Sequence, residues 1–159
     1  NREGSIMRRA LTLTLIGLVF AAGSAFAADP AIGTWTLNLT KSKFTSGPAP
    51  QAATRVYAES GGVYTLEQKI TGSDGKEVSS KAQYREGQDD TTTAISGVDS
   101  VHATKVNADT WDFSLKSGGK EVGHAHRTVS ADGKTLTVHN TGKQITGATG
   151  DDTLVFDKK

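Results

Sequence analysis

Apolar and polar residues alternate one by one along most of this chain, and short turn sequences interrupt the alternation at close intervals. Trp35, Leu37 and Leu39 alternate with polar neighbours. The same pattern returns in four later segments, 64–70, 78–84, 111–115 and 135–138. A period of two is typical of a β-strand with one buried face, and no sustained helical period competes with it. The alternation therefore predicts an all-β chain.

Turn residues between the alternating runs indicate how the strands connect. Tight turns are predicted at Gly61-Gly62, Asp74-Gly75, Gly118-Gly119 and Asp132-Gly133. Glycine in such pairs supplies the positive φ angles that short hairpins need. Connections this short join antiparallel neighbours and leave no room for crossover helices. The turns therefore predict an antiparallel meander of about 8–10 strands.

An antiparallel meander of this length has two common solutions, an up-and-down β-barrel and a β-sandwich. Because closure of the sheet removes its exposed edges, we predict the barrel and keep the sandwich as the alternative. The stretch from Lys41 to Gln51 contains Pro48 and Pro50, and it is predicted to be an exposed loop after the first strand. Phe44, in its middle, is expected to pin this loop to the barrel.

The first part of the chain has the features of a targeting segment. Residues 1–6 precede Met7 and are interpreted as an upstream extension. Arg8 and Arg9 then lead into the apolar run 10–22 and the small-residue sequence Ala25-Phe26-Ala27. A positive start, an apolar run and an A-x-A site are typical of a signal peptide, here residues 7–27. We therefore expect cleavage after Ala27, a single domain over 28–159, and a periplasmic or secreted location.

Composition limits the partners of the exported part. Loss of Arg2, Arg8, Arg9 and Glu3 with the leader changes the formal net charge from +1 to −1. No basic face is implied, so nucleic acid is not expected as a partner. The chain has no cysteine, so its stability must come from core burial without disulfides. The apolar leader is shorter than a bilayer span, and no stable membrane insertion is expected after cleavage.

Both ends of the exported part resemble proteins of a known barrel class. The segment Gly33-Thr34-Trp35-Thr36-Leu37 resembles the G-x-W opening of lipocalins and the G-T-W-x-L opening of fatty-acid-binding proteins. The closing segment 153–158 resembles the last strand of fatty-acid-binding proteins. This resemblance implies a lipocalin-like (calycin) barrel, with Trp35 filling its narrow floor.

The chain departs from that class at two places. The positions that carry an Arg and a Tyr for the lipid carboxylate in fatty-acid-binding proteins are Leu154 and Phe156 here. The loop with Pro48 and Pro50 stands where those proteins have a helical lid.

The segment 37–44, with its L-N-x-x-K-S-K-F pattern, also resembles small uncharacterised exported bacterial proteins, and that resemblance implies no particular function.

Continued alternation selects the residues that face the barrel interior. We predict a ligand site there, with aromatic walls and a few polar groups. Its residues are Tyr64, Gln68, Tyr84, Trp111, Phe113, Arg127 and Phe156. An inward Arg127 in an apolar barrel requires an anion or acceptor. It is interpreted either as an anchor for a ligand carboxylate, or as an outward residue or a cap on the floor near Trp35.

Three histidines bear on the possibility of a metal site. A two-residue turn at Asp132-Gly133 places His126 opposite His139, with His124 on the same face, as a His₃ zinc site requires. Pairing across Gly118-Gly119 instead turns His124 and His126 inward, beside aromatic residues. A bulge near Gly123 would reconcile the two registers. The sequence leaves this open, and we assign no metal ligand.

No constellation of catalytic residues is present. The chain lacks cysteine and the Gly-x-Ser-x-Gly elbow, so we expect neither an enzyme nor a cofactor. The predicted function is that of an exported lipocalin-like protein that binds a small, largely apolar ligand inside its barrel. The alternative is a structural or interaction protein with a filled core and no ligand. The oligomeric state is left open.

Overall fold

The computed structural model describes residues 28–92, 95–146 and 148–159, so the predicted extension and leader over 1–27 lie outside the described residues. Within these ranges the chain forms ten β-strands. Their bounds are β1 Gly33–Leu37, β2 Ala52–Ser60, β3 Val63–Thr71, β4 Glu77–Tyr84, β5 Asp89–Thr91, β6 Ser100–Lys105, β7 Thr110–Ser117, β8 Lys120–Val129, β9 Thr135–Lys143 and β10 Thr149–Lys158. The all-β prediction is confirmed, and no helix in these ranges is long and apolar enough to cross a membrane.

The ten strands form one antiparallel sheet that curls into a nearly closed barrel. Strands adjacent in sequence pair with each other except β4 and β5, and β1 also pairs with β10 through the register Trp35↔Lys158 and Leu37↔Phe156. The circle is interrupted between β4 and β5, where an isolated parallel bridge joins Glu86 to Ala103. The predicted up-and-down barrel is therefore confirmed in preference to the sandwich.

One end of the barrel is closed by packed side chains, and we call it the floor. Trp35 and Leu136 are fully buried there, because the alternation in β1 and β9 turns these residues inward. Ala31, in the turn before β1, is also fully buried. The hairpins that join β2 to β3, β6 to β7 and β8 to β9 lie at this end. The opposite end, which we call the mouth, carries the longer connections.

Residues 38–51 form the mouth loop, which includes the irregular stretch predicted from Lys41 to Gln51 and lies over part of the opening. Lys43 and Thr153 exchange two backbone hydrogen bonds, at 2.7 and 2.9 Å. Asp152 accepts hydrogen bonds from the backbone N–H groups of Thr45 and Ser46, at 2.6 and 2.9 Å. Phe44 is half-buried against the core, as expected. The first half of the loop is therefore fixed to β10, while residues 47–49 are exposed.

A bulge in β8 resolves the two registers that the sequence left open. Lys116 pairs with Glu121, yet Leu115 pairs with Gly123, so Val122 is the extra residue. Beyond the bulge Phe113 lies opposite Ala125, so the register expected from the Gly118-Gly119 turn, which directed His124 and His126 inward, is wrong. Gly123 is needed where the strands crowd, because a Cβ there would lie 2.0 Å from the carbonyl oxygen of Lys143.

A candidate ligand site inside the barrel

Arg127 of β8 closes the floor through an ion pair with Asp29. Its Nη2 donates a hydrogen bond to Oδ2 of Asp29 at 2.5 Å, and its Nη1 donates to the hydroxyl of Tyr84 at 2.9 Å. Asp29 also accepts the N–H of Ala31, whose carbonyl accepts Nε1 of Trp35 at 2.7 Å. This geometry matches a cap on the floor near Trp35. Since Asp29 already pairs with its charge, the role of Arg127 as a ligand anchor stays a prediction.

The surroundings of Arg127 determine the protonation states of Arg127 and Tyr84 at the floor. Burial raises the pKa of the Tyr84 hydroxyl well above its usual range, although Arg127 opposes the shift. Burial alone would lower the pKa of Arg127, but Tyr84, Tyr57 and Asp29 outweigh it, so the net shift is upward. Arg127 is therefore charged and Tyr84 neutral at physiological pH.

A second arginine, Arg55 of β2, lies inside the barrel without a carboxylate. Its side chain is buried, and its Nε donates to Oε1 of Gln68 at 2.6 Å. Its Nη1 lies 3.4 Å from the hydroxyl of Tyr57, and its guanidinium carbon lies 4.8 Å from the ring centre of Phe156. Among the described residues, no carboxylate oxygen lies within 4.0 Å of its nitrogens. Arg55 is thus held by the amide of Gln68, the hydroxyl of Tyr57 and the ring of Phe156.

Arg55 borders an interior cavity of about 70 Å³, which we call the inner chamber. Apolar side chains from β3, β6, β7, β8 and β9 form most of its wall. They include Leu66, Val101, Phe113, Leu115, Ala125 and Val138. Asn140 and Arg127 also line it, and Nδ2 of Asn140 and Nε of Arg127 have no hydrogen-bond partner among the described residues.

A larger cavity of about 310 Å³ lies at the mouth, beneath the mouth loop, and we call it the mouth groove. Its wall is mainly apolar, with Phe44 and Pro48 above and Ile70, Leu154 and Phe156 below. No residue lines both cavities. The hydrogen-bonded pair of Arg55, which lines the chamber, and Gln68, which lines the groove, stands between them. The interior is therefore divided into a small chamber and a wider entrance.

All seven predicted ligand residues lie on the inner face, but the structure brings them together in separate groups. Tyr84, Phe113 and Arg127 line the inner chamber, and Gln68 and Phe156 line the mouth groove. Tyr64 and Trp111 line neither cavity. Instead, Tyr64 stacks on Tyr84 at 5.3 Å between ring centres and meets Trp111 edge-on at 5.0 Å. Their assignment to ligand binding stays a prediction.

The interior residues that sequence reasoning missed include the polar side chains of Arg55, Asn140 and Asp29. Asn140 continues the alternation of Leu136 and Val138, so extending that run by one step would have found it. Arg55 was concealed because Val56, its apolar neighbour, faces outward. Asp29 precedes the first strand and belongs to no alternating run, so no local signal predicts its contact with Arg127.

The histidines lie on the outer face. His126 is paired opposite His139, as a two-residue turn at Asp132-Gly133 requires. Nδ1 of His126 lies 2.6 Å from Asp112, and Nε2 of His139 lies 2.7 Å from Asp151. Within the ranges that the structure describes, no group of three or more histidine or acidic side chains is placed to hold a metal ion.

Solved structures with the same fold place this barrel in a class. The fluorescent protein UnaG superposes with a TM-score of 0.57 at 15% identity, over 80% of this chain and 96% of that chain. A Schistosoma mansoni fatty-acid-binding protein, solved with arachidonic acid, gives 0.58 at 14% identity over 82% and 96%. A secretory abundant heat-soluble protein from Ramazzottius varieornatus gives 0.58 at 11% identity, over the same shares.

At these identities the likeness shows the fold, which is the calycin barrel of fatty-acid-binding proteins. The resemblance seen in Gly33–Leu37 is thereby confirmed at the level of fold. No protein-family model matches the sequence. No curated protein matches it either.

Proposed function

We propose that this protein is exported and binds a small, largely apolar ligand inside its barrel, without chemical conversion. The observation that carries the proposal is the mouth groove, whose apolar wall opens at the end of the barrel. Concave, mainly apolar cavities with a few polar groups are where proteins hold small molecules. Proteins of the same fold supply support by analogy, since several are fatty-acid-binding proteins.

A fluorescent apolar probe tests the binding role directly. We expect the exported protein to enhance the emission of anilinonaphthalene sulfonate and a long-chain alcohol to displace it. Ile70→Gln, in the groove wall, is expected to weaken probe binding at least tenfold, because it places an amide in the apolar surface. Val56→Gln, on the outer face of the same sheet, is the matched control and is expected to bind normally.

A structural or interaction protein with a filled core is the second candidate. The small volume of the inner chamber, about 70 Å³, favours it, because drug-sized ligands occupy about 300–1,000 Å³. Native mass spectrometry of protein from its own host separates the candidates. A co-purifying small molecule supports the binding role. Absence of both a bound molecule and probe binding supports the filled-core role.

Export is tested separately from binding. Mass spectrometry of protein recovered from the periplasm or the medium is expected to find Ala28 as the first residue. Recovery from the cytoplasm with the leader intact contradicts export and leaves the binding proposal standing.

A further inference from the structure

The interior of the barrel carries an uncompensated positive charge. Two guanidinium groups, from Arg55 and Arg127, line the inner chamber, and no acidic side chain does. Asp29 pairs with Arg127 from the floor side. Arg55 has no such partner among the described residues. A buried charge without a counter-ion is costly, so the interior is incomplete by one negative charge.

The two remaining buried carboxylates of the barrel do not supply that charge. Asp90 is held by Arg85 across the gap between β4 and β5. Asp152 is held by the mouth loop and lines the mouth groove. Neither lines the chamber that Arg55 borders. None of the described carboxylates therefore supplies the counter-charge for Arg55, which leaves a bound anion to supply it.

The chamber also contains hydrogen-bond donors without acceptors. Nδ2 of Asn140 and Nε of Arg127 are buried and have no partner within the part of the chain that the structure describes, and both residues are at most 3% exposed. Leaving such buried donors without an acceptor is unfavourable. A carboxylate, with two acceptor oxygens, satisfies both the charge and the donors.

The size of the chamber limits the rest of the ligand. Its volume of about 70 Å³ is far below the usual range of pockets for drug-sized molecules. Its apolar wall, formed by residues such as Leu66, Phe113 and Val138, suits a compact hydrocarbon group. An extended chain would have to separate Arg55 from Gln68, whose hydrogen bond stands between chamber and groove.

From this arrangement we infer that the inner chamber binds a compact, apolar monocarboxylate, whose carboxylate lies against Arg55 and Asn140. This inference rests on the proposed function and specifies the charge and size of its ligand. Arg55 supplies the ionic contact and Asn140 a hydrogen bond, and the chamber wall excludes long chains. Neither residue occupies the strand on which the resembled proteins hold a lipid carboxylate.

Isothermal titration of the exported protein with a graded set of ligands tests the inference. The probes are butyrate, hexanoate, benzoate, benzamide and palmitate. We expect hexanoate or benzoate to bind best, benzamide to bind at least tenfold more weakly than benzoate, and palmitate not to displace benzoate. The bound acid is also expected to raise the thermal midpoint, because it binds only the folded state.

Two substitutions assign the contacts. Arg55→Met removes the charge at similar volume, and it is expected to abolish benzoate binding. Should Arg55→Met fail to fold, Asn140→Asp replaces it, since this isosteric change puts a carboxylate in the chamber and should weaken benzoate at least tenfold. Asn107→Asp, in the exposed turn before β7, is the matched control and should bind benzoate normally.

The outcomes separate this inference from the proposed function. Palmitate binding more tightly than the short acids overturns the size limit and leaves a ligand-binding barrel. Equal binding of benzamide and benzoate, or unchanged binding by Asn140→Asp, overturns the contact with Arg55 and Asn140. Failure of every acid, with the fluorescent probe still bound, also overturns the inference alone. Failure of the acids and the probe together overturns both.

Discussion

The carboxylate of Asp29 and the guanidinium of Arg127 meet at 2.5 Å, and both side chains are only 1% exposed. They are separated by 98 residues in the sequence. Asp29 stands outside the strands, whereas Arg127 lies in β8. The segment that precedes β1 is thereby part of the floor.

Asp29→Asn is predicted to destabilise the protein by about 3–5 kcal/mol, because it leaves the Arg127 charge buried without its partner. Urea unfolding followed by tryptophan fluorescence measures the loss. The double variant Asp29→Leu/Arg127→Met should recover most of it, since both charges are then gone. Additive losses in the double variant would contradict the pairing. Lys41→Gln, which breaks the exposed pair with Asp157, is the control and should change stability little.

The two tryptophans give a matched comparison. Both are fully buried, but Nε1 of Trp35 donates to the carbonyl of Ala31 at 2.7 Å, whereas Nε1 of Trp111 has no partner among the described residues. Trp35→Phe is therefore predicted to cost about 1–2 kcal/mol more than Trp111→Phe, because only the first leaves an acceptor unpaired. Each variant keeps one tryptophan for the urea measurement. A Trp111→Phe loss equal to or larger than that of Trp35→Phe would refute the hydrogen-bond argument.

Gly123 is predicted to tolerate no side chain. Its Cβ would lie 2.0 Å from the carbonyl oxygen of Lys143, and that atom belongs to the backbone. Gly123→Ala should therefore cost about 3 kcal/mol through displacement of β9. Gly62→Ala, in a turn with open space and a φ of +81°, is the control and should cost about 1 kcal/mol. Thermal unfolding of both variants measures these costs. Equal losses of stability in the two variants would contradict the steric explanation for Gly123 at the bulge.

The contacts of Asp152 with the mouth loop are expected to make the stability of the protein depend on pH. Burial tends to raise its pKa, but hydrogen bonds from Ser46 and from the backbone of Thr45 outweigh burial and lower it. Because the pKa of Asp152 is lower in the folded state, its ionised carboxylate stabilises the folded protein at pH values above the pKa of the unfolded state, which is near 4. This stabilisation is lost as the pH falls through the pKa of the folded state. Asp152→Asn is expected to cost about 2 kcal/mol at neutral pH and less towards pH 2.

The measurement for Asp152 is the difference in urea midpoint between wild type and Asp152→Asn across this acid range. Asp89, Asp132 and Asp157 also have lowered pKa values, owing first to hydrogen bonds from Lys116, Ser130 and Asn38. They remain in the variant, so their contribution cancels in the difference. A difference that stays constant with pH would show that Asp152 does not control the acid response.

Local alternation was enough to predict most of the fold. The inward positions of Trp35, Leu66 and Phe113 follow from a period of two, and the glycine pairs predict the hairpins. The position of the extra residue, Val122, could not be predicted from the sequence. A bulge depends on how two neighbouring turns combine rather than on either turn alone. Pairing of β1 with β10 was likewise inferred from the cost of open edges, without a local pattern that specifies it.

The candidate site was predicted only in part, because polar groups inside a barrel do not follow the apolar rhythm. Gln68 and Arg127 were found because they continue an alternating run. Arg55 was missed because the apolar Val56 beside it faces solvent. Whether Arg127 meets a ligand or an internal partner depends on Asp29, a contact between distant parts of the chain that no period reveals.

The break between β4 and β5 determines where the barrel can widen most easily. Among the described residues few hydrogen bonds cross this seam, namely that from Gly87 to the carbonyl of Ala103 and those between Arg85 and Asp90. The ring of Tyr84 also packs across it against Trp111 and Phe113. Elsewhere, widening would require several ladder hydrogen bonds to break together. We therefore expect the barrel to widen first at this seam. A bulkier ligand would then separate the edges of β4 and β5 while every other strand pairing persists.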